Sequence, residues 1–232
     1  YFLISRQAGL GGFTAVGYVA AALLCLAQWA ELRRPGVLAS AVLLLLLVLT
    51  LALALRRTPD LKQYLSGVAS TVFGVLYVGF ALSWLVPLRF AEPDSGRKAV
   101  FLLFLVIWAG DICAYFTGRA MGRTLLFPRV SPKKTVEGAI GGLAGSLLAA
   151  LGFARWFWQT ADLKTVILLA GLIAVAGQLG DLAESAMKRG ANLKDSGALL
   201  PGHGGLLDRI DSLLFGVPVM WLALTVKELW FS

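Results

Sequence analysis

The segment 185–211 combines residue types that bind phosphate and divalent metal ions, and it is the least hydrophobic long stretch of the chain. Its basic residues, aspartates and glycines, together with the only histidine of the sequence, are Lys188, Arg189, Lys194, Arg209, Asp195, Asp208, Asp211, Gly190, Gly197, Gly202, Gly204, Gly205 and His203. Cations bind phosphates, carboxylates bind Mg²⁺, and glycines let the backbone approach a ligand closely. The pattern indicates a metal-assisted phosphate site. Its backbone polar groups would lack partners in lipid, so we expect it at a membrane face or in a water-filled cavity.

Acidic residues inside apolar runs form the second signal, because a charge at membrane depth is costly and usually functional. Asp111 lies about midway along one predicted helix and Asp181 lies in a later one; a structural pairing of Asp111 with an arginine is the alternative. Asp208 and Asp211 stand three residues apart at the predicted start of the last helix, so both carboxylates face one way. The helix dipole alone would explain one of the two. We assign Asp181, Asp208 and Asp211 as Mg²⁺ ligands that act together with substrate phosphates.

A second polar segment, S-P-K-K-T-V-E-G, precedes a glycine-rich helix. Its candidate phosphate-binding residues are Ser131, Lys133, Lys134 and Thr135. A helix N-terminus with adjacent lysines binds phosphate readily. Lysines are also expected in any cytoplasmic loop, and the glycines of the helix could serve close helix packing. The sequence has no G-x-x-x-x-G-K-[ST] motif, which excludes a P-loop protein.

The elements that must position these residues are membrane helices. Of the 232 residues, 58% are hydrophobic and only 15% are charged, which excludes an ordinary soluble domain. Hydropathy predicts an all-α polytopic membrane protein with about seven transmembrane helices, at 13–32, 36–55, 67–88, 99–121, 136–158, 165–188 and 207–230. We divide this single membrane domain into N-terminal scaffold helices, 1–98, and a catalytic region, 99–232. The chain starts at Tyr1 rather than at Met, so we expect a further N-terminal segment.

Charge sets the expected orientation. Lys and Arg are more numerous in the loops on the side of the segment 185–211, which the positive-inside rule assigns to the cytoplasm. Tryptophans near the opposite helix ends fit an interfacial belt. The net charge of +8 is explained by cytoplasmic loops and anionic ligands rather than by nucleic acid.

Three motifs resemble those of the phosphatidate cytidylyltransferase (CDP-diacylglycerol synthase) family. They are W-x-x-D-x-x-A-Y-x-x-G-x-x-x-G from Trp108, S-P-K-K-T-x-E-G from Ser131, and the segment 185–211 with its His203-Gly204-Gly205 triplet. The resemblance covers about the C-terminal half of the chain. Members of this family usually have eight or more membrane helices, which fits a missing N-terminal portion.

The resemblance implies a nucleotidyltransferase that makes CDP-diacylglycerol and pyrophosphate from CTP and phosphatidate in phospholipid biosynthesis. It implies Mg²⁺, a second cation such as K⁺, a homodimer, and a bacterial inner membrane with the active site facing the cytoplasm. The catalytic residues would be Asp111, Asp181, Lys188, Arg189, Asp208 and Asp211. The substrate-binding residues would be Ser131, Lys133, Lys134, Thr135, Lys194, Asp195, His203, Gly204, Gly205 and Arg209.

Two alternatives stay open. A CTP-dependent polyprenol or phytol kinase would release CDP instead of pyrophosphate. An ion-coupled transporter would need a polar path on both sides of the membrane, whereas the motif residues cluster on one side. For His203 we favour a positioning or nucleotide-binding role over a general base, because the attacking phosphate is already anionic.

Overall fold

The computed structural model describes residues 1–32, 36–58, 60–90, 92–197 and 204–231. Within them the chain is helical apart from turns, connecting loops and one small antiparallel sheet. The helices are α1 (Phe2–Gln7), α2 (Thr14–Ala30), α3 (Val37–Arg57), α4 (Tyr64–Gly74), α5 (Ala81–Ser83), α6 (Leu85–Phe90), α7 (Pro93–Met121), α8 (Val136–Trp156), α9 (Leu163–Gly190) and α10 (Leu207–Phe231). The strands are β1 (Leu125–Phe127) and β2 (Ser131–Thr135).

Six helical segments are long and apolar enough to cross a membrane, as judged by length and composition of the described residues. They are Val37–Arg56, Leu61–Phe90, Asp94–Met121, Val136–Trp156, Leu163–Gly190 and Leu207–Val226. The shorter apolar helix Thr14–Ala30 accounts for the first predicted segment. The prediction of an all-α polytopic membrane protein is confirmed.

Three details differ from the prediction. The third predicted segment is not one regular helix, because α4 continues into a π-helical stretch, Val75–Phe80, before α5 and α6. Helix α7 starts at Pro93, six residues before the predicted start, since proline is tolerated in a first helical turn that hydropathy does not detect. The hairpin was missed because its strands are only three and five residues long, and β2 is mostly polar.

The chain divides into two compact units. The first comprises Tyr1–Ala91 and Met187–Asp208, and the second comprises Glu92–Ala186 and Arg209–Ser232. In the first unit, α2 packs against α3 and against the π-helical stretch. A Cβ at Gly79 would lie 2.7 Å from the Ala21 Cβ, so the absence of a side chain permits this approach. Leu24 and Leu46 are buried in the resulting apolar core.

The second unit consists of α7, the hairpin, α8, most of α9 and most of α10. Its core is formed by aliphatic side chains with almost no exposed surface, among them Leu102, Leu103, Val106, Ile173, Leu214, Val217 and Met220. Lipid tails are as apolar as these side chains, so the helices are held together here by close van der Waals packing, which also fixes their polar residues in place. This unit carries Asp111, Lys134, Asp181 and Asp211.

Candidate active site

Glycines let α7 and α8 pack closely enough for their backbones to touch. A Cβ at Gly138 would lie 3.0 Å from the Ala114 carbonyl oxygen and 3.2 Å from the Gly118 Cα. A Cβ at Gly142 would lie 3.0 Å from the Gly110 carbonyl oxygen. This is the small-residue packing expected for the glycines of α8. It fixes the backbone of α7 immediately before Asp111.

Lys134 and Asp181 form the central ion pair of the second unit. The Lys134 ammonium donates to Asp181 Oδ2, and the two side chains are 32% and 29% exposed. Ser185, one turn further along α9, donates to Asp181 Oδ1 at 3.4 Å. The structure therefore joins the lysine of the predicted phosphate segment to an acid that sequence analysis assigned to the metal.

Two more carboxylates interact with this pair. Asp111 on α7 and Asp211 on α10 are each close enough to Asp181 for repulsion, and both are attracted by Lys134. Asp211 Oδ1 also accepts a hydrogen bond from the Ser212 backbone N–H at 2.7 Å. Three helices and the hairpin thus contribute to one acidic cluster, which we define as Asp111, Asp181 and Asp211 with Lys134. Three carboxylates with one ammonium leave the cluster suited to bind cations.

The position of Asp211 depends on a glycine of the neighbouring helix. A Cβ at Gly180 on α9 would lie only 2.6 Å from the Asp211 carbonyl oxygen and 3.2 Å from the Phe215 ring. Helices α9 and α10 therefore touch at Asp211 and at the residue immediately before Asp181. Any side chain at Gly180 would separate Asp211 from Asp181.

In the first unit, Asp208 closes a loop. Its Oδ2 atom accepts hydrogen bonds from the Ser196 backbone N–H at 2.9 Å, the Ser196 hydroxyl at 2.7 Å and the Gly205 backbone N–H at 2.8 Å. Its Oδ1 atom accepts one from Lys188 at 2.5 Å. One carboxylate thereby joins chain segments on both sides of residues 198–203. Lys188 and Asp208, whose side chains are only 11% and 15% exposed, form a largely buried pair.

The other predicted residues of this segment have separate environments. Arg189 donates to the Leu193 carbonyl oxygen at 3.3 Å, which occupies part of its guanidinium at the end of α9. Lys194 and Asp195 are exposed, and Gly204 has a φ of +80°, a conformation that favours glycine. His203 lies outside the described residues. In the second unit, Arg209 is exposed.

The predicted residues of the hairpin have distinct environments. Lys133 is exposed and Ser131 is partly buried, while Thr135 caps α8 by accepting the Gly138 backbone N–H at 3.1 Å. Thr135 therefore has a structural bond in addition to the substrate-binding role predicted for it. Lys133 is the more exposed of the two lysines in this strand.

The oxygen donors of the second unit suit Mg²⁺. Among the described residues, no three His, Cys, Asp or Glu side chains form a group that could hold a metal ion by themselves. Mg²⁺ usually takes one or two protein carboxylates and completes its shell with water and substrate phosphates. Asp181 and Asp211 fit that mode. Asp208 is occupied by its loop contacts, and the assignment of Asp181, Asp208 and Asp211 as metal ligands stays a prediction.

Sequence analysis did not predict two residues whose side chains form structural hydrogen bonds. Glu137 accepts the backbone N–H groups of Arg123 and Thr124 at the start of the hairpin. Ser196 joins Asp208 through both its backbone and its hydroxyl. Residue type gave no signal for Ser196, whereas Glu137 stands in the S-P-K-K-T-x-E-G motif and in the first turn of a helix.

Comparison with known proteins links these clusters to a family. The sequence model of the cytidylyltransferase family matches residues 4–227. The chain is 46% identical to a phosphatidate cytidylyltransferase of Brucella suis over 165 residues, which is 69% of this chain and 58% of that protein. It is 39% identical to one of Bacillus subtilis over 163 residues, 68% of this chain and 59% of that protein.

A third relative, the phosphatidate cytidylyltransferase of Thermotoga maritima, is 37% identical over 174 residues, 73% of this chain and 63% of that protein. The chain thus matches about three fifths of the length of these curated relatives. The family match extends beyond the C-terminal motifs into the N-terminal helices. With nearly the whole sequence matched, the chain belongs to the cytidylyltransferase family.

Proposed function

We propose that the protein transfers the cytidylyl group of CTP to phosphatidate, giving CDP-diacylglycerol and pyrophosphate. The family match over residues 4–227 and the names of the relatives support this reaction. The observation that carries the proposal in this chain is the acidic cluster with Lys134, because it offers both a cation site and a phosphate-binding ammonium.

The reaction needs positioning and charge neutralisation more than covalent catalysis. A phosphate oxygen of phosphatidate forms a bond to the α-phosphorus of CTP, the bond from that phosphorus to the β-phosphate oxygen breaks, and pyrophosphate leaves. No proton has to be removed from an anionic attacking oxygen, so a strong general base is not required. Lys133 and Lys134 would bind phosphate oxygens through charge-assisted hydrogen bonds.

The carboxylates of Asp181 and Asp211 would hold Mg²⁺. When bound there, Mg²⁺ supplies neutralisation of the triphosphate charge. The ion pair with Asp181 keeps the Lys134 ammonium beside the cluster before substrate arrives. Prepositioned charge of this kind lowers the reorganisation needed during reaction. The assignment of Asp208 to the metal stays a prediction from the sequence, as does a second cation such as K⁺.

We further propose that the site opens to the cytoplasm of a bacterium, at its inner membrane, and that the protein acts as a homodimer. The lysine and arginine distribution supports the orientation. Bacterial relatives support the compartment. The dimer rests on the family resemblance alone.

The test uses purified protein in lipid nanodiscs with CTP labelled in its cytosine, Mg²⁺ and phosphatidate. We expect a lipid-soluble cytidine product and an equal amount of pyrophosphate, with neither formed when phosphatidate is omitted. A polyprenol or phytol kinase would instead release CDP and leave no cytidine in the lipid. Ion uptake into proteoliposomes without any nucleotide product would support the transporter alternative and overturn the proposal.

A further inference from the structure

The Glu137 side chain fastens the start of the hairpin to the first turn of α8. Its Oε2 atom accepts the Arg123 backbone N–H at 3.1 Å and the Thr124 backbone N–H at 3.2 Å, and its Oε1 atom accepts the latter at 3.2 Å. These two amide groups follow the end of α7 directly. A single carboxylate therefore joins the end of one membrane helix to the beginning of the next.

Backbone bonds close the same region from the other side. The Val136 N–H donates to the Thr124 carbonyl oxygen at 2.9 Å, and Leu125 pairs with Thr135 in the sheet. Thr135 also caps α8 through the Gly138 N–H. The result is a closed ring at the base of the hairpin, to which Glu137 contributes its carboxylate.

Helix α7 leaves space for this ring. A Cβ at Gly118 would lie 3.1 Å from the Thr135 hydroxyl, and a Cβ at Gly122 would lie 2.8 Å from the Thr135 methyl group. The two glycines therefore seat Thr135 against α7. Thr135 cannot shift toward α7, and Glu137 prevents the opposite end of the hairpin base from moving away.

Lys134 is the residue immediately before this fixed ring, and its ammonium reaches Asp181 on α9. Because Thr135 is held in place, the backbone of the adjacent Lys134 is held as well, and this backbone sets the direction of the Lys134 side chain. Loss of the Glu137 carboxylate would leave these two exposed amide groups to water and would remove this attachment between the strand and α8.

We propose that Glu137 is a positioning residue that fixes Lys133 and Lys134 for a phosphate-bearing substrate without contacting that substrate. The part concerning substrate rests on the function proposed above. The simpler explanation is that any acid in a first helical turn stabilises the helix through its dipole. That explanation requires no bond to Arg123 or Thr124.

The chain offers a matched control for the dipole effect. Glu92 stands at the N-cap of α7 in the same unit, is exposed, and makes no side-chain capping hydrogen bond. Glu92→Gln removes one negative charge at a helix start without removing a hydrogen bond of the helix cap. The test set is Glu137→Ala, Glu137→Gln and Glu137→Asp, compared with Glu92→Gln.

Hydrogen–deuterium exchange tests the attachment independently of activity. We expect the amides of Arg123 and Thr124 to exchange at least about tenfold faster in Glu137→Ala, because a hydrogen bond to a charged group is worth about that factor or more. Glu137→Gln should show a smaller change, since one amide oxygen can still accept both bonds. Glu92→Gln should leave exchange in this segment unchanged. Unaltered exchange in Glu137→Ala would overturn the proposal.

Kinetics test the positioning role. We expect the KM for CTP to rise at least about tenfold in Glu137→Ala, with partial recovery in Glu137→Asp and no change in Glu92→Gln. Normal kinetics together with faster exchange would reduce Glu137 to a purely structural residue and refute the proposal. If the wild type makes no lipid-linked cytidine, the proposed function fails, while exchange still decides the attachment. If Glu137→Ala does not fold, Glu137→Gln and Glu137→Asp carry both measurements.

Discussion

Replacement of Gly180 by alanine should damage the site without touching a charged residue. The added Cβ would lie 2.6 Å from the Asp211 carbonyl oxygen, whereas ordinary contacts begin near 3.4 Å. The two helices must therefore separate by about 0.8 Å at this point. Because the atom in the way belongs to the backbone, no side-chain rotation relieves the contact.

Two contributions to the change in the free energy of unfolding have opposite signs in this substitution. Alanine in place of glycine within a helix gains about 0.5–1 kcal/mol. Overpacking in a well-packed core costs about 1–3 kcal/mol, so Gly180→Ala should lose roughly 1 kcal/mol or more overall. For a chain of this size that corresponds to a Tm lowered by about 2–4 °C. A shift approaching 1 Å between Asp211 and Asp181 should lower kcat/KM by about 10- to 100-fold.

Gly171→Ala is the control, because it makes the same change nine residues earlier on α9. Its Cβ would have its nearest neighbour at 3.9 Å, the Leu147 Cδ2 atom, which is an ordinary contact. This variant should gain about 0.5–1 kcal/mol and keep its activity. The assays are thermal unfolding in nanodiscs and formation of lipid-linked cytidine. Equal behaviour of the two variants would refute the packing argument.

The charged residues and the proposed metal give four further predictions. Lys133→Gln combined with Lys134→Gln should raise the KM for CTP or phosphatidate at least about tenfold, through lost charge-assisted bonds; unchanged kinetics would make both lysines topology-setting charges. Asp211→Asn should lower kcat at least about 100-fold with an unaltered Tm. Asp208→Asn should lower activity and also Tm, because Asp208 closes a loop through four hydrogen bonds; equal Tm values would contradict that role. EDTA should abolish turnover and Mg²⁺ should restore it, whereas turnover that persists in EDTA would contradict the metal assignment.

Hydropathy was enough to predict the membrane helices, because every segment that spans lipid must meet the same requirement. A segment of about 20 apolar residues that satisfies its own backbone is recognisable from composition alone. The start of α7 at Pro93 and the π-helical stretch Val75–Phe80 were not recognisable in this way. Both depend on local hydrogen bonding rather than on the average polarity of a window.

The site was predictable as a set of residue types but not as a set of partners. The acids and lysines could be selected because charge in an apolar chain is conspicuous. Which lysine forms an ion pair with which acid depends on helix packing. The ion pairs Lys134–Asp181 and Lys188–Asp208 could therefore be identified only in the structure. From the sequence, Asp208 and Asp211 were predicted to have the same role, because they stand three residues apart on one helix. The structure gives Asp208 a loop to close and places Asp211 against Gly180.

Two acids of the second unit, Asp111 on α7 and Asp181 on α9, each directly follow a glycine at a helix contact. Gly110 precedes Asp111 and meets α8, and Gly180 precedes Asp181 and meets α10 at Asp211. A carboxylate on a flexible side chain could vary its position by several ångströms. Here each acid is attached to a helix backbone that is held in place by a contact with the neighbouring helix. Their spacing is therefore set mainly by helix packing, and the energy that assembles the helices also organises the charges before any ligand binds. On this reasoning, an added methyl group at one of these glycines should lower activity although every charged residue is kept.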